Sequence, residues 1–146
     1  MDSYDTFNHI LVELFHDIMD IEEKAIITDS FKDITNNDMH VIEAIGTEEA
    51  KNMTTVAKLL SVTTGTLTIS MNSLVKKGYV QRVRSEEDRR VVLVSLTEKG
   101  KSAFAHHKRF HDEMIRQVLK GLDGEEQEVL RKALLNLMDF FEKMKG

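Results

Sequence analysis

The side chains best equipped for chemistry lie between Thr54 and Gly100. Segment 63–77 carries Thr64, Gly65, Thr66, Thr68, Ser70, Asn72 and Ser73 on the side opposite an apolar stripe. Hydroxyls bond phosphate oxygens or base edges, and threonine methyls touch thymine methyls. Asn72 has the amide for an adenine edge but comes late in the segment. The first helical turn usually enters a groove, so Thr64, Thr66 and Thr68 are the stronger candidates. Gly65 costs roughly 1 kcal/mol against alanine in a helix, a cost that close backbone approach to DNA would explain. The bland alternative is a solvated face of small polar residues.

A second group follows at once. Arg82, Arg84, Arg89 and Arg90 surround the polar loop SEEDRR. A guanidinium in a narrow minor groove gains from the focused negative potential there. Asp88 has nothing to offer DNA directly, and its expected task is to hold an arginine and fix the loop. Glu86 and Glu87 speak for the opposite reading, an ordinary charged hairpin tip.

The elements that must position these groups are legible in the pattern. Thr54 is expected to cap a helix holding Val56, Ala57, Leu59 and Leu60, with a turn at Ser61-Val62. Thr63 then caps a helix whose Leu67, Met71, Leu74 and Val75 share one face, and Gly78 stops it. Tyr79–Arg84 and Val91–Leu96 are β-branched runs that read as a hairpin. This order is a helix-turn-helix followed by a wing, a unit that presents one helix to a major groove and an arginine-tipped loop to the minor groove.

Around it lie longer helices. Residues 4–26 place Phe7, Ile10, Leu11, Leu14, Phe15, Ile18, Met19 and Ile21 at helical spacing. Thr35 and Asp38 suggest a capping box for a short helix ending at Gly46. Thr97 caps a helix to about Lys120, stopped by Gly121. Asp123 and Glu126 form a capping box for a last helix with Leu130, Leu134, Leu137, Phe141 and Met144 on one stripe. The expected fold is mainly α: a winged helix-turn-helix with a two-stranded β-wing and long terminal dimerisation helices. One domain over 1–146 is expected, with 1–34 and 101–146 for dimerisation and 35–100 as the DNA-binding lobe. The apolar stripes of the long helices want a partner, and a two-fold homodimer is the simple solution.

Bulk properties bound the reading. The chain has 146 residues, 41% hydrophobic and 31% charged, with no cysteine and no proline. Disulfides, thiol redox sensing and thiolate metal ligands are excluded. No apolar run is long enough for a membrane span, and MDSYDTFNHI lacks the features of a signal peptide, so a cytoplasmic protein is expected. The formal net charge of −5 argues against nucleic acid until its distribution is considered. Residues 51–101 hold ten Lys/Arg and four Asp/Glu, a net of +6, and the remaining ten Lys/Arg and twenty-one Asp/Glu leave −11. The local field governs attraction to phosphate.

The histidines form a third group. Phe104, His107, His111, Met114 and Val118 are spaced by three and four, so both imidazoles sit on one stripe of the 98–120 helix. A His-x3-His pair on one helix face is a geometry that binds zinc, and Glu22 and His40 are candidates to complete a tetrahedral set. The alternative is a set of partly buried histidines bonded to Glu22 or to backbone, lining an apolar pocket. A metal-dependent enzyme is a remote reading: there is no His-Glu-x-x-His signature, phosphate loop or nucleophile motif.

The run from Leu60-Ser61-Val62-Thr63 through Leu74, Lys77-Gly78-Tyr79-Val80, Arg82, Asp88-Arg89-Arg90 and Leu96-Thr97-Glu98-Lys99-Gly100 resembles the MarR family of bacterial transcriptional regulators. The resemblance implies a homodimer on palindromic operators, usually a repressor. It also implies dimerisation through the terminal helices and a ligand pocket between them and the winged lobe, for which His40, Phe104, His107, His111 and Met114 are the candidates. The expected DNA contacts are Thr63, Thr64, Gly65, Thr66, Thr68 and Asn72, with Arg82, Arg84, Ser85, Arg89 and Arg90 from the wing and Asp88 in support.

Within the family, Phe31-Lys32-Asp33-Ile34, Met39-His40, Ile45-Gly46, Val83-Arg84-Ser85-Glu86, Asp88 through Val92 and His107-Lys108-Arg109-Phe110-His111 are similar to its repressors of fatty-acid synthesis genes. That similarity implies acyl-acyl carrier protein, or a long acyl chain, as co-repressor. The pattern also resembles zinc-responsive members, where Glu22, His40, His107 and His111 match the main metal positions. Thr28 and Met39 stand where a second metal site would need ligands, and the fatty-acid type carries the same histidines. No cofactor is expected to be required, with zinc as the alternative effector.

Overall fold

Local signals set most element boundaries. The computed structural model describes residues 2–26 and 31–145, without the side chains of residues 22, 23, 25 and 26. Glu22 as a side chain and Thr28 altogether therefore lie outside the described residues. Helix α1 spans Ser3–Ile26, α2 Asn36–Ile45, α3 Met53–Leu60, α4 Thr64–Lys77, α5 Glu98–Leu119 and α6 Gly124–Lys145. Strands β1 (Lys51–Asn52), β2 (Val80–Arg84) and β3 (Val92–Leu96) form one antiparallel sheet in the order β1-β3-β2.

Thr35 caps α2 as the pattern requires. Its hydroxyl accepts the Asp38 amide at 3.0 Å, and its own amide donates to the Asp38 carboxylate at 3.1 Å. Asp123 and Glu126 repeat the reciprocal pair before α6, at 2.9 and 3.1 Å. Thr97 accepts the Gly100 amide at 3.1 Å at the start of α5.

The start of α3 differs from expectation. Its cap is Asn52, whose side-chain oxygen accepts the Thr55 amide at 2.8 Å, so the helix begins before Thr54. Asn52 is held extended because it pairs with Leu93 in the sheet, and an extended asparagine is a strong cap. The wing hairpin accordingly gains a third, two-residue strand. Tyr79 and Val91 fall just outside the strands; Val91 instead closes a turn by donating to the Asp88 carbonyl at 2.9 Å.

The chain divides into two units, one up to Arg109 and one from Phe110 onward, the boundary lying within α5. The first unit holds the core. Met39, Ile42 and Ile45 of α2 meet Val56 of α3, Leu67, Met71 and Leu74 of α4, and Val94 and Leu96 of β3 in one buried cluster. Tyr79 is sealed within it. Its hydroxyl donates to the Asp33 carboxylate at 2.6 Å, and the Lys99 ammonium lies 4.3 Å from its ring centre. Lys77, at the end of α4, donates to the buried Asp38 carboxylate at 2.7 Å and so ties that end to the cap of α2. Gly100 lets α5 pass close to this knot, because a Cβ there would stand 2.1 Å from the Tyr79 carbonyl oxygen.

The second unit buries nothing on α6. Leu134, Leu137, Phe141 and Met144 are exposed, as are Phe7, Ile10, Leu11, Leu14, Phe15 and Met19 on α1 of the first unit. Among the described residues, no helix is long and apolar enough to cross a membrane.

Candidate nucleic-acid interface

Helix α4 is aimed by its two ends. Before it, Ser61 takes a left-handed backbone (φ 56°) and the Val62 amide returns to the Ala57 carbonyl at 3.0 Å, turning the chain sharply after α3. Thr63 then caps α4 by accepting the Thr66 amide at 3.1 Å, and its hydroxyl donates to the Thr66 hydroxyl at 3.0 Å. At the far end Gly78 supplies the positive φ of 89° that closes the helix. Leu67, Met71 and Leu74 are buried, so Thr64, Gly65, Thr66, Thr68 and Asn72 are presented outward, with Val75 half-buried.

Not every polar group on that face is available. The Thr68 hydroxyl donates to the Thr64 carbonyl at 2.8 Å. The Ser70 hydroxyl accepts from the Asn37 side-chain Nδ2 at 3.0 Å and belongs to the contact with α2. Ile69 belongs neither to the apolar stripe nor to the polar set, and it is 74% exposed among these residues.

The wing stands beside α4. Strands β2 and β3 pair from Val80↔Leu96 to Arg84↔Val92, and the Ser85 amide donates to the Val91 carbonyl at 2.9 Å to close the loop. The arginine that Asp88 holds is Arg90: its carboxylate accepts from the Arg90 Nε and Nη2 at 3.0 Å each and from the Arg90 backbone amide at 3.1 Å. The Arg90 side-chain bonds, and then its amide, hold the Asp88 carboxyl below the usual carboxylate range. Arg84 donates to the Arg89 carbonyl at 2.8 Å. Among the described residues, Arg89 makes no side-chain hydrogen bond or ion pair. Arg82 donates from Nη2 to the Asn72 side-chain oxygen. That bond joins β2 to the outward face of α4, so the threonine-rich helix and the first wing arginine share one exposed surface. The spacing of the expected contacts in sequence gave no sign of this pairing.

Of the candidate histidines, His107 and His111 on α5 are buried and half-buried, and His40 on α2 is exposed. His107 is only 5% exposed, and its Nε2 meets the Glu43 carboxylate. Glu43 was not among the expected ligands, although it sits three residues beyond His40 on α2. His40 itself is exposed and lines a recess of about 100 Å³ with Asn37, Val41, Leu60, Thr66 and Ser70, next to α4. Within the first unit, Glu43 and His107 thus bring a carboxylate and an imidazole together. Phe104 is half-buried against the core. In the second unit His111 and Met114 are half-buried, the His111 ring edge-on to Phe110 at 5.8 Å.

Comparison with known proteins agrees with this arrangement. A family profile described as transcriptional regulator SarA/Rot matches residues 24–107. SarZ of Staphylococcus saprophyticus, an HTH-type transcriptional regulator, is 35% identical over 109 residues, 73% of this chain and 72% of the relative. SarZ of Staphylococcus haemolyticus is 43% identical over 68 residues, and there the chain spans only about half of the relative, 46% of its length. The crystal structure of Streptococcus pneumoniae FabT in complex with DNA superposes with a TM-score of 0.84 at 42% identity, covering 97% of this chain and 99% of that one. A MarR variant from E. coli complexed with operator DNA matches at a TM-score of 0.59 and 25% identity, over 94% of this chain and 99% of the other.

Proposed function

The chain belongs to the SarA/Rot family of transcriptional regulators, and from that premise we propose that it is a homodimeric repressor of fatty-acid synthesis genes with acyl-acyl carrier protein as co-repressor. It is a DNA-binding winged-helix protein of the MarR-like type, from a family of regulators rather than enzymes. The observation that carries the finer reading is the near full-length likeness to FabT bound to DNA.

In this reading each protomer seats α4 in one major-groove half-site. Thr63, Thr64, Gly65, Thr66, Thr68 and Asn72 face the groove, and Arg82, Arg84, Ser85, Arg89 and Arg90 meet the backbone or the minor groove. Half-site centres then lie about 34–36 Å apart. The apolar residues left exposed on α1 and on α6 support dimerisation, since a monomer would keep these stripes in water. The acyl effector acts by binding one dimer arrangement better than another.

Gel-shift titration on the promoters of its own gene and of fatty-acid synthesis genes tests the proposal. Acyl carrier protein charged with a long chain is expected to tighten binding. Indifference to every acyl chain would remove this effector while leaving the DNA function intact. Phe141→Asp, on the exposed face of α6, is expected to shift the protein to monomer in sedimentation and to weaken operator binding sharply.

One observation favours zinc as the effector instead. Glu43 and His107 bring a carboxylate and a buried imidazole together, with His111 next on α5 at the i+4 spacing. Zinc titration after chelation decides it: operator binding that tracks zinc supports this reading, and binding that ignores zinc removes it.

A further inference from the structure

We propose that Ile69 reads the C5-methyl group of a thymine in the major groove and is a specificity-determining residue. The proposal rests on the DNA-binding reading above and deepens it.

At about 100° per residue, Ile69 lies roughly 200° round α4 from Leu67, almost opposite the stripe of Leu67, Met71 and Leu74 that faces the core. It is 74% exposed, so the fold of the protomer makes no use of it. An isolated exposed isoleucine is ordinary on a protein surface. This one is set among groups that belong to a duplex interface. Asn72, three residues on, is bonded to Arg82 of the wing. Thr68, beside it, has turned its hydroxyl back to the Thr64 carbonyl at 2.8 Å.

Gly65, one turn before Ile69, supplies a second observation. A Cβ built there meets nothing nearer than the Thr63 hydroxyl oxygen at 3.9 Å, and its backbone is not in the left-handed region. Packing within the chain therefore does not require glycine. The vacant side-chain position leaves room for an outside surface to close on the helix beside Ile69. The surface that the flanking arginines select is polyanionic, and the apolar group that a duplex offers in its major groove is the thymine methyl. Ile69 fits that group and has no hydrogen bond to offer other base edges.

The test uses the full-length protein and a duplex selected by it from a random pool. Each thymine is replaced in turn, in both half-sites, by deoxyuridine, which removes only the methyl group. One position is expected to weaken wild-type binding about fourfold per half-site, the worth of one methyl withdrawn from water. Ile69→Ala is expected to weaken binding to the parent duplex and to be indifferent to deoxyuridine at that position alone. Ile69→Val is expected to restore part of the sensitivity. Because the side chain is exposed, both variants should unfold at the wild-type temperature. The inference is overturned if wild type responds to no deoxyuridine, or if Ile69→Ala loses affinity in the same proportion as wild type at every position. Failure of wild type to select any duplex would instead overturn the regulator reading.

Discussion

The Arg82 guanidinium and the Asn72 side-chain amide are joined by a direct hydrogen bond from the wing strand to the outward face of α4. In the proposed DNA complex, this bond would help set the distance between the two parts that reach adjacent grooves. It also occupies the amide oxygen with which Asn72 would otherwise face a base.

If the pair acts as a unit on DNA, its two members should not contribute independently. Asn72→Ala and Arg82→Ala are each expected to weaken operator binding by about 1 kcal/mol, and the double variant by less than their sum. Affinities of the four proteins on one duplex check this. Strict additivity would show that the bond does not survive in the complex.

Arg89 and Arg90 are adjacent but differently engaged. Arg89→Ala is expected to cost about 1–3 kcal/mol of binding and to lower the slope of log affinity against log salt by about one. Arg90→Ala should also weaken binding, with a smaller change in slope, because Asp88 already offsets that charge. Binding isotherms at several salt concentrations separate the two. Equal slopes would mean that Arg90 leaves Asp88 on the DNA.

The Tyr79–Asp33 bond predicts a pH-dependent share of stability. The Tyr79 hydroxyl holds the exposed Asp33 carboxyl below its ordinary value of 3.8. Burial, and then the Asp33 carboxylate, push the Tyr79 phenol above its ordinary value of 10. A depressed carboxyl stabilises the fold above its ordinary value, and that share erodes as pH falls from there through the folded value. A raised phenol stabilises below its ordinary value, and that share erodes as pH rises from there. Tyr79→Phe should therefore lose about 1 kcal/mol at neutral pH, with the gap to wild type narrowing below about pH 4 and above about pH 10. Urea unfolding of both proteins across pH measures it, and a constant gap would refute it.

Two glycines make opposite predictions for one substitution. Gly100→Ala drives a methyl into the Tyr79 carbonyl, and is expected to destabilise by about 1–3 kcal/mol despite the better helix propensity of alanine. Gly65→Ala meets open space and is expected to stabilise the free protein by up to about 1 kcal/mol. Thermal unfolding of the two variants gives the signs directly.

What the residue order alone determined is whatever depends on neighbours a few positions apart. Thr35 with Asp38, Thr63 before α4, Gly78 after it, and Asp123 with Glu126 are all bonds within one turn, so pattern was enough to find them. The stripe of Leu67, Met71 and Leu74 follows from helical period, and the hairpin from two β-branched runs around a polar loop, while which arginine Asp88 would hold stayed open. Two-residue β1 escaped because it exists only through pairing with β3, and with it the true cap of α3 at Asn52. The tertiary structure alone decided that Arg82 finds Asn72, that Tyr79 finds Asp33, that His107 finds Glu43, and that Ile69 is left in water. Each of these joins residues ten or more positions apart or turns on what the rest of the core covers. Such contacts follow from how helices and strands pack together, and no local period or cap encodes that.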